Sequence, residues 1–470
     1  MKDFGFAASD NLRRTTLLLL FTALVCLSVS CAPMSTGTPH LREEDPLFSI
    51  SPKGALMDSP TLQIGAARLE ITPLTPQMMG GYGVFFLSTK RCRWSVGVHD
   101  PLYATALVFQ KGTEVVAFLS LDLIGLASPD VNDIRNALAV RVPINPKSIV
   151  VNSNHTHHGP DTMGLWGIVF PPHSGRDERY MEMMKERAAQ AVMEAFYARQ
   201  PARLFFAVGE LSDLHRNIRV DQDPTASIDH TLTVLRAEGL DGAPIATLTN
   251  WACHPTAEYM DNRLISADWI GAFYQAMDRK EAGVSMYVNG SIGATVQPLA
   301  PGHILFSEGE NFRWVEEMGP KVADAATRIL ESALPVEVDS IRVIIREVTV
   351  PMRGRAFDLA RRLGLLEFDL PKIGKPFTTE VAAMHVGPIV FGTVPGEIAP
   401  HLGLQIRAAL GGKAQIIINN AQDSLGYIID PVQYADPRYR YEKMMCIGPD
   451  LGLAVVEAHR AMAMKLPSRR

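Results

Sequence analysis

The stretch Ser148-Ile149-Val150-Val151-Asn152-Ser153-Asn154-His155-Thr156-His157-His158-Gly159-Pro160-Asp161 decides how the chain is read. Its apolar start, Ser148 to Val151, has the length and flanks of a short buried strand, and the polar remainder, closed by Gly-Pro, is the loop on which that strand ends. The histidines therefore stand at a strand terminus. An extended backbone through them puts His155 and His157 on one face and His158 on the other, because strand side chains alternate. Imidazoles converging at the carboxyl end of a buried strand are a starting point for a metal site in an α/β protein. The alternative is a loop that is merely rich in histidine; three of the chain's 13 histidines within four positions weigh against it.

Outward from this strand, the pattern repeats. Alternating or apolar runs predict strands at 62–72, 104–110, 114–121, 204–208, 231–235, 245–251, 285–289, 341–350, 385–392 and 415–419. Lys111-Gly112-Thr113 is the turn of a hairpin, and Ser128-Pro129 caps and opens a helix to Val140. Tyr180, Met184, Ala188, Ala191 and Ala195 make the apolar stripe of a second helix; 313–332 and 451–464 are two more. Strands interleaved with helices predict an α/β fold, a mixed sheet with flanking helices, in a single large domain over 61–470. Segment 353–380, rich in Arg, Gly and Leu, reads as an insertion that could serve as a lid, and Met79-Gly80-Gly81-Tyr82-Gly83 as a flexible loop that fits no phosphate-binding spacing.

The amino end reads as a targeting segment. Arg13-Arg14 precede the apolar run Leu17 to Val25, which is short for a permanent membrane anchor and right for a signal sequence. The run closes on Leu27-Ser28-Val29-Ser30-Cys31, which resembles a lipoprotein signal with Cys31 as the acylated first mature residue; Ser28 departs from that pattern, so ordinary cleavage nearby stays open. Residues 1–31 are then a signal peptide and 32–60 a flexible tether, and the mature protein is exported, either anchored in a bacterial envelope or secreted. Cys92, Cys253 and Cys446 remain, too few for a disulfide framework, so the core must hold the fold. A net charge of −5 with no basic stripe excludes nucleic acid as a partner.

Two further polar groups stand at strand ends. His254, in Cys253-His254-Pro255-Thr256, follows strand 245–251 in a position parallel to that of His155. Cys253 beside it is not a thiol nucleophile on this evidence, since that chemistry needs a histidine close in space rather than next in sequence. Glu397, after Val394-Pro395-Gly396, is either a ligand or a first-turn helix residue. Asp122, ending strand 114–121, is either a partner of a metal-bound imidazole or a cap.

Taken as an ordered set, His155-Thr156-His157-His158-Gly159-Pro160, Cys253-His254-Pro255-Thr256, Val394-Pro395-Gly396-Glu397 and Leu425-Gly426-Tyr427-Ile428 resemble the catalytic domain of the neutral/alkaline non-lysosomal ceramidase family. The resemblance runs from about Gln63 to the end of the chain. It implies a zinc-dependent amidohydrolase cleaving a ceramide-like N-acyl lipid, with Zn2+ held by His155, His254, Glu397 and Tyr427. His157 would be the acid/base group, and Tyr441 with Arg219 would face the substrate carbonyl, Arg216 competing with Arg219. Zinc would supply a Lewis acid and activate water against the amide. The implied partners are the lipid amide and, through the amino-terminal anchor, a membrane. Three departures bear on the substrate. Gly293-Ala294-Thr295-Val296-Gln297-Pro298 replaces a family Gly-Asp-Val-Ser-Pro segment, 353–376 lacks a family counterpart, and the immunoglobulin-like domain of full-length ceramidases has no match. The altered 293–298 segment also motivates an alternative, a non-catalytic surface lipoprotein that keeps the scaffold as a binding module. A metallo-β-lactamase-like site would need Asp-His where Gly159-Pro160 stand, and a TIM barrel an eightfold alternation that the pattern lacks.

Overall fold

A computed structural model of the chain describes residues 58–83, 92–299, 310–366 and 368–466. The signal sequence and nearly all of the tether lie outside the described residues. Structure begins slightly earlier than the pattern predicts: the first strand opens at Ser59, inside the stretch read as tether, because Ser59 pairs with Gly112.

Nine strands make the larger sheet. They are β1 (Ser59–Glu70), β2 (Tyr103–Gly112), β3 (Glu114–Leu121), β4 (Ile149–Ser153), β5 (Gln200–Glu210), β6 (Thr231–Gly239), β7 (Pro244–Trp251), β8 (Val284–Asn289) and β9 (Leu334–Val336). Their spatial order is β8-β7-β6-β5-β1-β2-β3-β4, with β9 on β5. The second sheet has four strands in chain order, β10 (Ile341–Pro351), β11 (Pro376–Val386), β12 (Ile389–Thr393) and β13 (Ala414–Ile418). Pairs β3/β4, β7/β8 and β12/β13 are parallel and the neighbouring hairpins antiparallel, so both sheets are mixed.

The two-residue period of the strands sorts side chains into separate cores. On β2, Leu107 and Phe109 enter the core between the sheets, while Ala106 and Val108 face α2 (Glu178–Tyr197) on the outside. On β12, Ile389 and Phe391 likewise point to the first sheet, and Val390 to the helices α6 (Pro400–Leu410) and α7 (Asp450–Ala463). Helices α3 (Trp269–Arg279) and α4 (Glu310–Leu330) also cover the outside of the first sheet, and the result is helices, sheet, sheet, helices. Phe118 of β3 and Phe391 of β12 meet at the centre with ring centroids 4.5 Å apart, both fully buried.

Two local expectations are corrected. Residues 385–392 are not one strand: Gly387-Pro388 turns β11 into β12. Segment 353–380, read as an insertion, opens with α5 (Arg355–Arg362) and ends in β11, which pairs with β10 along its whole length. Ser128 is not the cap of α1 (Ser128–Ala139) but its first residue, and Asp423 Oδ1 accepts from its N–H at 3.1 Å. A carboxylate from a distant loop thus does what the local hydroxyl was expected to do.

The layout matters because the carboxyl ends of β4, β7, β12 and β13 meet at one edge of the two sheets. There Ser153 N–H donates to the Asn420 carbonyl and Asn419 N–H to the Asn289 carbonyl, tying the sheets together. Phe391→Ala should leave a cavity between the sheets and cost about 3–5 kcal/mol, read as a lowered denaturant midpoint. A shift below about 1 kcal/mol would mean that the inter-sheet contact is not the packed core described.

Candidate metal centre

The histidine loop is not extended. The strand stops at Ser153, and His155 adopts φ 77°, a left-handed conformation that costs energy for a residue with a Cβ. Asn154 and His155 donate their N–H groups to the carbonyls of Leu121 and Leu123, so the turn is held against the end of β3. Asp122 braces it: its carboxylate accepts from Asn154 Nδ2, Tyr274 hydroxyl and Tyr103 N–H rather than touching an imidazole. His155 and His157 still come together, ring centroids 4.9 Å apart, while His158 faces a separate cluster.

His254 follows β7 and joins them, at 5.2 Å from His155 and 5.8 Å from His157 between ring centroids. Glu397 follows β12 and lies in a separate two-residue parallel ladder, Glu397–Ile398 beside Tyr427–Ile428, in which Glu397 and Tyr427 are register partners. Its carboxylate lies between the imidazoles, Oε1 3.3 Å from His155 Nε2 and Oε2 3.0 Å from His254 Nε2. The other ring nitrogens are committed: His155 Nδ1 is 2.6 Å from the Ile124 carbonyl, and His254 Nδ1 is 2.6 Å from that of Val296. A carbonyl only accepts, so each Nδ1 carries a proton and each neutral ring turns a bare Nε2 lone pair toward a carboxylate that also only accepts. Acceptors facing acceptors in a buried site require a cation, a proton or a metal ion, between them.

The electrostatics agree. Burial alone would depress His155, but Glu397 beside it reverses the shift and raises it; burial would raise Glu397, and the two imidazoles instead hold it at about 2. His157 has no such partner. Burial, with His155 and His254 nearby, drives it well below the ordinary range, and neither of its ring nitrogens has a hydrogen bond. Burial, with Glu397 and Tyr441 nearby, pushes the Tyr427 hydroxyl well above the ordinary range, so only a cation at the site would draw it toward tyrosinate. Burial likewise raises the Cys253 thiol well above its usual value, which removes it as a nucleophile.

A family model described as neutral/alkaline non-lysosomal ceramidase, N-terminal, matches residues 62–297, half of the chain, including both histidine motifs. The chain belongs to this family. Neutral ceramidase B of Dictyostelium discoideum is 28% identical over 131 residues, 26% of this chain and 18% of the relative. Neutral ceramidase A of the same organism is 25% identical over 228 residues, 45% of this chain and 31% of the relative. The matched stretches thus span less than a third of either relative. The neutral ceramidase from Pseudomonas aeruginosa superposes with a TM-score of 0.70 at 17% identity, over 88% of this chain and 76% of that one. A ceramidase complexed with C2 gives 0.70 at 18% identity, over 88% and 77%. These likenesses show the ceramidase fold.

Around the centre this ceramidase-family chain has a cavity of about 60 Å³, lined by His155, His157, Glu397, Tyr427 and Tyr441 on its polar side. Ile124, Met163, Leu165, Trp166, Phe357 and Met445 form its apolar wall. Phe357 comes from α5, the segment read as an insertion. Tyr441, 45% exposed, stacks edge-on to Tyr427 at 5.6 Å. The structure does not bring Arg219 to the cavity wall: its Nε and Nη2 form a fork with Glu442, at 2.7 and 2.9 Å, one residue past Tyr441. Arg216 pairs with Asp221 at the surface. The altered 293–298 segment supplies the Val296 carbonyl to His254 and the Thr295 hydroxyl to Glu442, so part of what it contributes is backbone.

Two site residues went unread in the sequence. Asn420 lines the cavity with its Nδ2 buried and unpartnered. Gly81 presses its backbone on His157, at φ 104°, where a Cβ would fall 2.4 Å from His157 Cγ. Only its place in a glycine loop hinted at a close approach. Gly81→Ala should therefore destabilise the fold by about 1–3 kcal/mol through strain and overpacking, measured by thermal or denaturant melts. An unchanged melt would mean that the loop can yield and does not press on the ring.

Proposed function

We propose that the chain is a zinc-dependent amidohydrolase that cleaves the amide of an N-acyl lipid of ceramide type. The observation that carries this reading is the meeting of two Nε2 lone pairs with one buried carboxylate, next to a third imidazole that is free at both nitrogens. The donor set, two imidazoles, a carboxylate and a phenol, suits a borderline metal such as zinc. His155, His254, Glu397 and Tyr427 would hold it. Such a metal would supply Lewis acidity and lower the pKa of a water toward about 7.

The chain's own groups account for the rest. The Ile124 and Val296 carbonyls fix the tautomer and aim of the two ligand histidines. Neutral His157, lacking the carbonyl tether that those two rings have, is free to take a proton from water and return it to the leaving amine. The Tyr441 hydroxyl is the available donor for the developing oxyanion, a kind of contact worth about 3 kcal/mol. Arg219, through its fork with Glu442, acts on Tyr441 by placement rather than by contact with substrate. The apolar wall favours an acyl chain over a polar substituent. The relatives' names, ceramidases, agree with that chemistry. Against the binding-module alternative stands the altered segment's Val296 carbonyl, which still holds His254.

Metal analysis tests the reading. Purified protein should hold about one zinc per chain, Glu397→Ala should weaken it by at least about 10–100-fold, and His157→Ala should keep the metal while turnover of a fluorescent N-acyl sphingosine falls by about 10²–10⁴. Protein that neither carries nor takes up zinc would remove the catalytic assignment, and unchanged turnover in His157→Ala would remove that residue from it. The amino-terminal sequence supports an exported, lipid-anchored protein as well. Cys31→Ser should move it from the membrane fraction to the soluble one in its host, and retention in the membrane would rule out anchoring through Cys31.

A further inference from the structure

His157 makes no hydrogen bond through its ring, so packing alone has to hold it. Besides the His155 and His254 rings, the Gly81 backbone against Cγ, the Tyr82 ring edge-on at 4.8 Å and the course of its own main chain do so. The last three lead to Arg93. Its Nη1 donates to the His157 carbonyl at 3.0 Å and to the Gly80 carbonyl at 3.1 Å. Its Nη2 donates to the Asn262 carbonyl at 2.8 Å and to His158 Nδ1 at 3.2 Å. Its guanidinium lies over the Tyr82 ring, 4.9 Å from the centroid. One planar fork thus joins the histidine loop, the glycine loop and the loop after β7.

Next to it His158, Glu258 and Asp268, all buried, offer ligand atoms within 4.8 Å of one another, which raises the possibility of a second metal site. The hydrogen bonds argue otherwise. His158 Nδ1 accepts from Arg93 Nη2, so a neutral ring carries its proton on Nε2, the atom 3.5 Å from Asp268 Oδ2, and offers no lone pair there. Asp268 is already satisfied by the N–H groups of Ala257, Glu258 and Trp269. The Ser266 hydroxyl has one proton but sits 2.5 Å from Asp100 Oδ2 and 2.6 Å from Glu258 Oε1, so one of these carboxyls must bring its own. The cluster is a buried, hydrogen-bonded mount for the arginine.

We propose that Arg93 is a positioning residue for the reaction, holding His157 off the metal and oriented for proton transfer, with the His158, Glu258 and Asp268 cluster as its footing. The inference rests on the hydrolase reading above, which gives His157 its role. Lysine, with a single ammonium at the end of a flexible stem, cannot span two loop carbonyls and a third loop as a fork does.

The test uses zinc-loaded full-length protein and a fluorescent N-acyl sphingosine. Arg93→Met should lower kcat by about 10²-fold, the effect of a reacting group displaced by about 1 Å, with KM within about threefold and zinc content unchanged. Arg93→Lys, keeping the charge and part of the bonding, should recover about tenfold of that loss. Wild-type kcat in a folded Arg93→Met, or a kcat that falls only in step with lost zinc or lost fold, overturns the proposal. If Arg93→Met does not fold, Arg93→Lys decides: about tenfold lower kcat at full zinc content supports it, wild-type kcat overturns it. A wild type that holds zinc yet hydrolyses nothing sinks the hydrolase reading first, whereas active wild type with an equally active variant sinks the Arg93 assignment alone.

Discussion

The site depends on one electrostatic conflict. Glu397 is placed between two imidazoles whose donor nitrogens are already spent on the Ile124 and Val296 carbonyls. Three lone-pair groups then face one another out of reach of bulk water, an arrangement that is costly unless positive charge enters it. The fold accepts this at the place where sheet strands end and loops can be pinned individually. Much of the surrounding detail, from the left-handed backbone at His155 to the brace from Asp122, serves to keep those groups from relaxing apart.

How much of this the sequence disclosed follows from where each residue's partners sit. His155, His157 and His254 were legible because each stands just past an apolar run, and a strand terminus is a local feature. The pairing of His155 with His157 came out as expected for the wrong reason: an alternating strand would have produced it, but the chain turns at His155 and brings the rings together by a tight loop. Glu397 stayed ambiguous in the pattern, since a carboxylate after Pro-Gly and before a helix fits a first turn equally well. Tyr427 and Tyr441 carry no local signal and were reached only through family resemblance.

The misreadings share a cause. The composition of 353–380 hid an alternating strand, Pro376–Val386, whose partner β10 lies on the far side of α5. Ser128 looked like a cap because its true neighbour, Asp423, is supplied from the other end of the chain. Arg93 bonds mainly to main-chain carbonyls of Gly80, His157 and Asn262, and backbone acceptors leave no trace in residue identity. Local reasoning recovers the elements and fails where a group is completed by a remote one.

The placement of the four proposed ligands by layer has a mechanical meaning. His155 and His254 follow strands of the large sheet, while Glu397 and Tyr427, paired in a short ladder of their own, follow strands of the small one, and both pairs sit at the same edge. A single ion gripped by all four would act as a rivet through the two halves of the sandwich, stabilising the folded state because the unfolded chain does not assemble the site. Grip on the metal and cohesion of the sheets would then be two faces of one equilibrium, so that loss of the ion would loosen the seam between the layers.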